Sequence, residues 1–345
     1  MIDAKVFMQQ CLNLALKGSG FVAPNPMVGC VIVNEDEIIG QGYHQRFGEA
    51  HAEVNAINSV QNKKLLSTST LYVNLEPCSH FGKTPPCADF IIEYIIPKVV
   101  IVCIDSNSAV AGKGIEKLRH AGIEVEVGIL EKESRDLNRR FFTFHEKKRP
   151  YVILKWAKSA DGFMDVDRST GEKGIRWITT DETKKITHKW RSDEAAILVG
   201  WKTIANDNPE LTCREYPGKN PIRIIIDPYL RLDYNAYKVG NRQVKTIIFT
   251  HKHAVGDDML QFIHHVDFTA NDILNTLYKL HINSVLIEGG KTTIENFIHE
   301  GIWDEARVLT GEVKFKTGAA SPTIKGKKTD EFNSGKDQII ILRNA

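Results

Sequence analysis

No stretch of this 345-residue chain approaches about 18 uninterrupted apolar residues, so no membrane-spanning helix is expected. Charge of one sign is also missing. The 45 Lys and Arg are nearly balanced by 43 Asp and Glu, leaving a formal net charge of +2. That balance gives no global electrostatic case for a nucleic acid or a membrane surface as partner. Cysteine is sparse, with six residues at positions 11, 30, 78, 87, 103 and 213. The opening MIDAKVFMQQCLNLAL has no basic region leading into an apolar run, and it reads as an amphipathic helix rather than a secretion signal. A disulfide framework is therefore not expected, and a cytoplasmic location is. The sequence shows no internal repeat and no low-complexity tract.

What is present is ordinary globular material, 42% hydrophobic and 26% charged, in a chain long enough for two cores. Apolar runs at 28–33, 71–75, 99–104 and 123–127 read as strands. Helical patterns fall at about 3–17, 51–60, 86–95 and 112–120. Such alternation predicts an α/β sandwich with a mixed or largely parallel sheet. The basic, aromatic stretch NRRFFTFHEKKRP, residues 138–150, is taken as the boundary between domains spanning 1–146 and 150–345. A second α/β pattern follows, with strands at 151–156, 195–199, 222–226, 246–250 and 284–287, and helices at 181–190, 271–281 and 291–300. After Gly311 the chain turns rich in Lys, Thr, Gly and Ser, which fits an edge hairpin or loops.

One constellation carries chemistry. His51-Ala52-Glu53 is followed, after a predicted strand, by Pro77-Cys78 and Pro86-Cys87. One imidazole and two thiolates suit a catalytic zinc that keeps its fourth position for water. His51 and Glu53 share the first turn of a predicted helix, and Glu53 is placed to move protons rather than to ligate. Cys87 follows Pro85-Pro86 at a predicted helix start, where a thiolate is favoured. The pattern H-x-E then P-C…C is that of zinc deaminases. A closed structural zinc site would need a fourth ligand, for which His44 and His80 are the candidates. Elsewhere, Asn25 sits in a Pro-flanked turn with an amide donor and acceptor to offer, and His44, His80, Lys83 and Thr84 supply cationic or hydroxyl groups. Asp105 and Asn107 follow a strand end, and Gly112-Lys-Gly114 is a weak phosphate-turn signal.

The long insert between the cysteines, Pro77-Cys-Ser-His-Phe-Gly-Lys-Thr-Pro-Pro-Cys87, resembles the deaminase half of the bifunctional riboflavin-biosynthesis deaminase/reductase family. So do Pro24-Asn-Pro-Met-Val-Gly29, Gly42-Tyr-His44 and Val110-Ala-Gly-Lys-Gly114. Lys155-Trp-Ala-Lys-Ser-Ala-Asp-Gly162, Trp177-Ile-Thr-Thr180, Val199-Gly200, Ala205-Asn-Asp-Asn-Pro-Glu-Leu-Thr212 and Glu288-Gly-Gly290 are similar to its reductase half. The resemblance implies a cytidine-deaminase-like α/β/α sandwich with a mixed sheet, followed by a dihydrofolate-reductase-like α/β domain. It implies zinc and NADPH as cofactors, a small phosphoribosyl pyrimidine as substrate, and a homo-oligomer, dimer or tetramer. Residue by residue, it places His51, Cys78 and Cys87 on the metal, and Glu53 in catalysis. Asn25, His44, His80, Lys83, Thr84 and Asn107 fall on the deaminase substrate. Ala157, Trp177, Thr203, Asp207 and Gly290 fall along NADPH. Arg191, Leu211, Arg214 and Glu288 fall on the reductase substrate, the two arginines as a clamp on its phosphate. Two positions depart from the family pattern. Ser106 stands where a Pro is usual, and Ile175 where a Ser is common, so that a substrate hydroxyl contact is either missing or supplied by Ser169 or Thr170.

Two other functions fit parts of the pattern. One is a deaminase of another base, nucleoside or tRNA with a non-catalytic second domain; a tRNA substrate would call for a basic face. The other is a non-catalytic, zinc-stapled scaffold, against which Glu53 speaks.

Overall fold

The computed structural model describes residues 3–81, 85–107, 111–169 and 171–344. The chain divides into two compact units, residues 1–148 and 149–345.

In the first unit the elements run α1 (Ala4–Leu16), β1 (Gly29–Asn34), β2 (Glu37–Tyr43), α2 (Ala52–Ser59), β3 (Thr70–Val73), α3 (Cys87–Glu93), β4 (Lys98–Ile101), α4 (Lys113–His120), β5 (Glu124–Val127), α5 (Glu131–Leu137) and α6 (Arg139–Lys147). The sheet order is β2-β1-β3-β4-β5. β1 pairs antiparallel with β2 and β3, whereas β3-β4-β5 are parallel, so the sheet is mixed. Strand alternation explains the sandwich. Cys30 and Ile32 of β1 join a core with Ala56, Ile57, Ala88, Ile91, Ile115 and Leu118 of α2, α3 and α4. Val31 and Val33 turn the other way, onto Phe7, Met8, Cys11 and Leu14 of α1 and onto Phe141 and Phe142 of α6.

The stretch 138–150, taken above as the boundary, is helical for most of its length, and the two units divide within it, between 148 and 149. Residues 139–147 are α6, and Phe141, Phe142 and Phe144 are buried. Its basic residues mask a helix whose aromatic face covers the sheet.

In the second unit the elements are β6 (Tyr151–Lys158), β7 (Phe163–Val166), α7 (Asp181–Asp193), β8 (Ala196–Gly200), α8 (Trp201–Asp207), β9 (Ile222–Ile226), β10 (Thr246–Thr250), β11 (Leu260–His264), α9 (Ala270–Lys279), β12 (Ser284–Ile287), α10 (Lys291–His299), β13 (Glu305–Thr310), β14 (Gly318–Ala320), β15 (Lys327–Ser334) and β16 (Asp337–Arg343). The main sheet has the order β11-β10-β9-β8-β12-β6-β13-β16-β15. It is parallel from β11 to β13, and β16 and β15 close that edge as an antiparallel hairpin. The Lys-rich end of the chain is thus an edge hairpin, with β15 exposed along most of its length. β6, β8, β9, β10 and β12 bury one face under α9 and α10. Ile197, Val199, Ile225 and Ile248 face the opposite layer, which includes Ile204 of α8 and Tyr234. The chain lays down β8 to β11 outward and then returns β12 between β8 and β6. Such a reversal makes a crevice at strand carboxyl ends, where α/β folds bind ligands.

Candidate active sites

In the first unit, His51 is the N-cap residue of α2, Glu53 lies in that helix's first turn, and Cys87 opens α3. The Asn55 side chain donates to the carbonyls of Tyr43 (2.9 Å) and Ala50 (3.3 Å), fixing the start of α2 against the end of β2. His51 Nδ1 lies 3.2 Å from Cys87 Sγ and 3.6 Å from Cys78 Sγ, and one ligand atom from each of the three residues lies within 4.8 Å of the others. Tetrahedral bonds of about 2.05 Å to nitrogen and about 2.3 Å to sulfur place N and S about 3.6 Å apart. The donor set fits zinc in both chemistry and spacing. Hydrogen bonds from Cys87 pull the Cys78 thiol down to about 4, aided by His51 and against burial, while Cys87 is pushed up in turn. Metal binding to the two cysteines would displace their protons.

Glu53 is buried. Burial pushes its carboxyl up to about 7, opposed by the nearby His51. A carboxyl poised there can both accept and release a proton near neutral pH. Asn25, His44, His80 and Asn107 line a pocket of about 260 Å³ together with His51, Glu53 and Cys78. His44 approaches the Ala50 carbonyl with Nδ1 (3.1 Å) and the Asn25 amide with Nε2 (3.2 Å). Burial also lowers its pKa, so a neutral ring donating from Nδ1 and accepting at Nε2 satisfies both contacts. Both nitrogens are then in use, and His44 is not a fourth ligand. His80 is exposed and outside the cluster. Among the described residues no fourth ligand joins the three, as a catalytic site requires. Lys83 and Thr84 lie outside the described residues, as do Val110 and Thr170.

One residue escaped the sequence reading. Glu76, buried beside Pro77-Cys78, accepts four backbone N–H groups: Asp105 (3.1 Å), Gly112 (2.9 Å), Gly114 (2.8 Å) and Ile115 (3.2 Å). The Gly112-Lys-Gly114 turn does hold an anion, but that anion is the protein's own carboxylate. The contact requires close approach, since a Cβ on Gly114 would lie 2.0 Å from the Pro77 carbonyl oxygen. Glu76 thereby ties the Cys78 segment to the loop bearing Asp105 and Asn107. The available signal was an acid ending the apolar run 71–75, where only a saturated set of donors makes burial tolerable.

In the second unit, Arg191 of α7 and Glu288 after β12 form a two-pronged ion pair of 2.8 and 2.7 Å, and Arg191 also donates to the Thr212 carbonyl (3.0 Å). Lys155 Nζ stands 3.9 Å from Glu288. Burial disfavours the Glu288 charge, but Arg191 and Lys155 outweigh it and hold the carboxyl at about 2. Most of the Arg191 fork is thus occupied within the protein, whereas Arg214 is exposed and, among the described residues, has an ion pair with Glu210 alone, at 3.9 Å. Leu211, beside Thr212, is buried with φ +55°. Asp207 ends α8 and pairs with Arg168 (3.1 Å). Trp177 is half exposed, with the Lys184 ammonium 3.7 Å from its ring centroid. Ala157 lies in β6 and packs near Trp190. Ile175 is exposed.

At the β8/β12 carboxyl ends, Gly290 (φ +72°) caps α10 without a side-chain hydrogen bond. A Cβ on Gly289 would lie 3.0 Å from Thr203 Oγ1, and one on Gly290 3.7 Å. Thr203 and a side-chain-free helix start thus share one bare backbone cradle, the form that suits a cofactor phosphate. No helix of the described residues is long and apolar enough to cross a membrane.

Comparison with known proteins bears on both units. Residues 1–103 match the family described as the cytidine and deoxycytidylate deaminase zinc-binding region, and residues 150–325 match the RibD C-terminal domain. The riboflavin biosynthesis protein RibD of Aquifex aeolicus is 39% identical over 356 residues, covering 98% of each chain. The crystal structure of a diaminohydroxyphosphoribosylaminopyrimidine deaminase/5-amino-6-(5-phosphoribosylamino)uracil reductase from Thermotoga maritima superposes with a TM-score of 0.89 at 37% identity, covering 99% of this chain and 98% of that one. Acinetobacter baumannii RibD gives a TM-score of 0.89 at 32% identity, with the same coverage. With a deaminase zinc-binding region, a reductase domain and full-length relatives of one kind, the chain belongs to the RibD family of riboflavin-biosynthesis enzymes.

Proposed function

We propose that the first unit deaminates 2,5-diamino-6-(5-phosphoribosylamino)pyrimidin-4-one and that the second reduces the ribosyl group of the deaminated product to a ribityl chain. The observation that carries the deaminase half is the convergence of His51, Cys78 and Cys87 within 4.8 Å beside buried Glu53. These three residues would hold zinc, which when bound supplies the Lewis acidity that makes water nucleophilic near neutral pH. Glu53 takes a proton from the attacking water and hands it to the amino group as the C–O bond forms and the C–N bond breaks. Ammonia leaves, and Glu53 returns to its starting state. Asn25, held by His44, offers its amide to the ring edge, and His80 at the pocket mouth faces the phosphoribosyl arm.

In the second unit Thr203 and Gly290 would receive NADPH, which when bound supplies the hydride. Glu288, pinned by Arg191 and Lys155, offers its remaining acceptor capacity to the ribose hydroxyls. Arg214 meets the phosphate. A cytoplasmic enzyme is part of the same reading, since all six cysteines are free thiols that suit a reducing compartment.

The test is a coupled assay on the purified protein with the diaminopyrimidine substrate, following ammonia and NADPH together. The expected result is NADPH loss that depends on prior ammonia release. Ammonia release with no NADPH loss would remove the reductase half of the reading.

A further inference from the structure

One buried imidazole of the second unit has no part in the chemistry above. His188 lies on α7, three residues before Arg191, and is buried. Its Nδ1 accepts from the backbone N–H of Glu215 (3.2 Å). One helical turn on, Arg191 donates to the Thr212 carbonyl (3.0 Å). The two contacts bracket Arg214 along the chain. Ser192 adds close packing to the same helix face, since a Cβ on Gly218 would lie 2.5 Å from its Cβ. Positions 188, 191 and 192 are spaced i, i+3 and i+4, so one stripe of α7 receives the whole loop.

The loop needs such ties. Residues 208–221, between α8 and β9, contain no helix or strand, and a connection of that length is ordered only where contacts hold it. Within the loop, Cys213 N (2.9 Å) and Cys213 Sγ (3.2 Å) both meet Asn220 Oδ1, and Tyr216 N donates to the Cys213 carbonyl (2.9 Å). Those bonds shape the loop but do not set it on the helix. Arg214 and Glu215 are exposed, and an exposed ion pair as long as that of Arg214 with Glu210 orders little. His188 supplies the missing tie as an acceptor. A free lone pair on Nδ1 requires an uncharged ring with its proton on Nε2. Burial, with Arg191 and Arg214 nearby, pushes the imidazole down to about 4, so that lone pair is present at neutral pH. Because Glu215 is exposed, water would satisfy its N–H if His188 were replaced. The loss would then fall on the placement of the loop rather than on the fold.

We propose that His188 is a positioning residue of the reductase, docking the 211–220 loop on α7 through Glu215 and so setting Arg214 for the phosphate of the pyrimidine substrate. The proposal rests on the reading of the second unit as a reductase and of Arg214 as its phosphate contact. Loss of one such hydrogen bond corresponds to about 3- to 10-fold in substrate affinity.

The test is steady-state NADPH oxidation by the full chain with supplied deaminated pyrimidine phosphate, for wild type, His188→Leu, His188→Asn, His188→Gln, Arg214→Ala and the double variant His188→Leu/Arg214→Ala. His188→Leu should raise the pyrimidine KM by about 3- to 10-fold, with kcat and the ammonia release of the first unit little changed. His188→Asn should stay near wild type, because its Oδ1 stands where Nδ1 stood. His188→Gln, whose acceptor is displaced by one bond, should behave like His188→Leu. In the double variant KM should rise no further than in Arg214→Ala alone, since a residue that acts through Arg214 has nothing left to position. An unchanged KM in His188→Leu overturns the proposal, as do KM effects that multiply in the double variant or a fall in kcat at constant KM. If His188→Leu does not fold, the Asn and Gln variants decide, and equal KM values for the two overturn the proposal. A wild type that releases ammonia but oxidises no NADPH overturns the reductase reading itself, and an unchanged KM in Arg214→Ala overturns the assignment of that arginine.

Discussion

The two units treat their functional charges in opposite ways. In the first, His51, Cys78 and Cys87 contact chiefly one another, and the adjoining acid Glu53 is left buried with its carboxyl pushed up to about 7. In the second, Glu288 is paired with both Arg191 and Lys155, and Asp207 with Arg168. The first arrangement is incomplete without a cation. The second is internally paired and presents ligands with leftover donors and acceptors. The difference teaches that a metal site can be read from residue types alone, whereas an internally paired site hides its working residues among its structural ones.

The sharpest way to break the comparison is to remove a ligand. Cys87→Ser should lose bound zinc, measured by elemental analysis, and with it all ammonia release, while NADPH oxidation with supplied deaminated intermediate persists. A variant that kept its zinc and its ammonia release would mean that the cluster is not the metal site.

The matching change in the second unit should act on stability. Glu288→Ala leaves Arg191 and Lys155 charged and buried, and should destabilise that unit by about 3–5 kcal/mol in denaturant unfolding. The sign with pH follows from the depressed carboxyl. A Glu held at about 2, against an ordinary 4.5, contributes stability above the upper value and loses it as pH falls toward the lower. Wild type should therefore lose stability between pH 4.5 and 2 more steeply than Glu288→Gln. Equal slopes would show that the ion pair is not the source.

How much of this was legible in the sequence follows the same division. The H-x-E and two Pro-Cys junctions survive reading because ligand types and a proton carrier occur together in one short stretch of chain. The central strands β9, β10 and β12 were legible to the residue, since buried parallel strands are plain apolar runs. β2, β7 and β11 were not, and after Gly311 an edge hairpin and loops stood as alternatives, because edge and half-exposed strands such as β15, KKTDEFNS, carry no apolar run. The helix α6 was not legible as a helix because its charges outnumber its three buried phenylalanines. The ion pair of Arg191 with Glu288 was not legible, because the two lie 97 residues apart. Glu76 was missed for a related reason: its partners are backbone groups, which no residue type announces.

A milder test concerns that residue. Glu76→Gln replaces one acceptor oxygen by a donor facing N–H groups, and should cost about 1–3 kcal/mol of first-unit stability. Deaminase kcat should fall with it, because the Cys78 and Asp105–Asn107 segments lose their common anchor. Full stability in the variant would contradict the anchoring role. The smallest effect should come from Arg214→Ala. An exposed side chain that holds the substrate phosphate uniformly should raise the reductase KM with kcat little changed. An unchanged KM would remove Arg214 from the site.

The central claim is that two separable chemistries share this chain and that Glu53 moves the protons of the first. Glu53→Gln tests it most directly, with ammonia release and NADPH oxidation measured on the same preparation. The account predicts that ammonia release falls by about 10²–10⁴-fold with zinc still bound, while NADPH oxidation with the deaminated intermediate proceeds at the wild-type rate. Ammonia release at the wild-type rate, from a variant shown to carry its zinc, would contradict it.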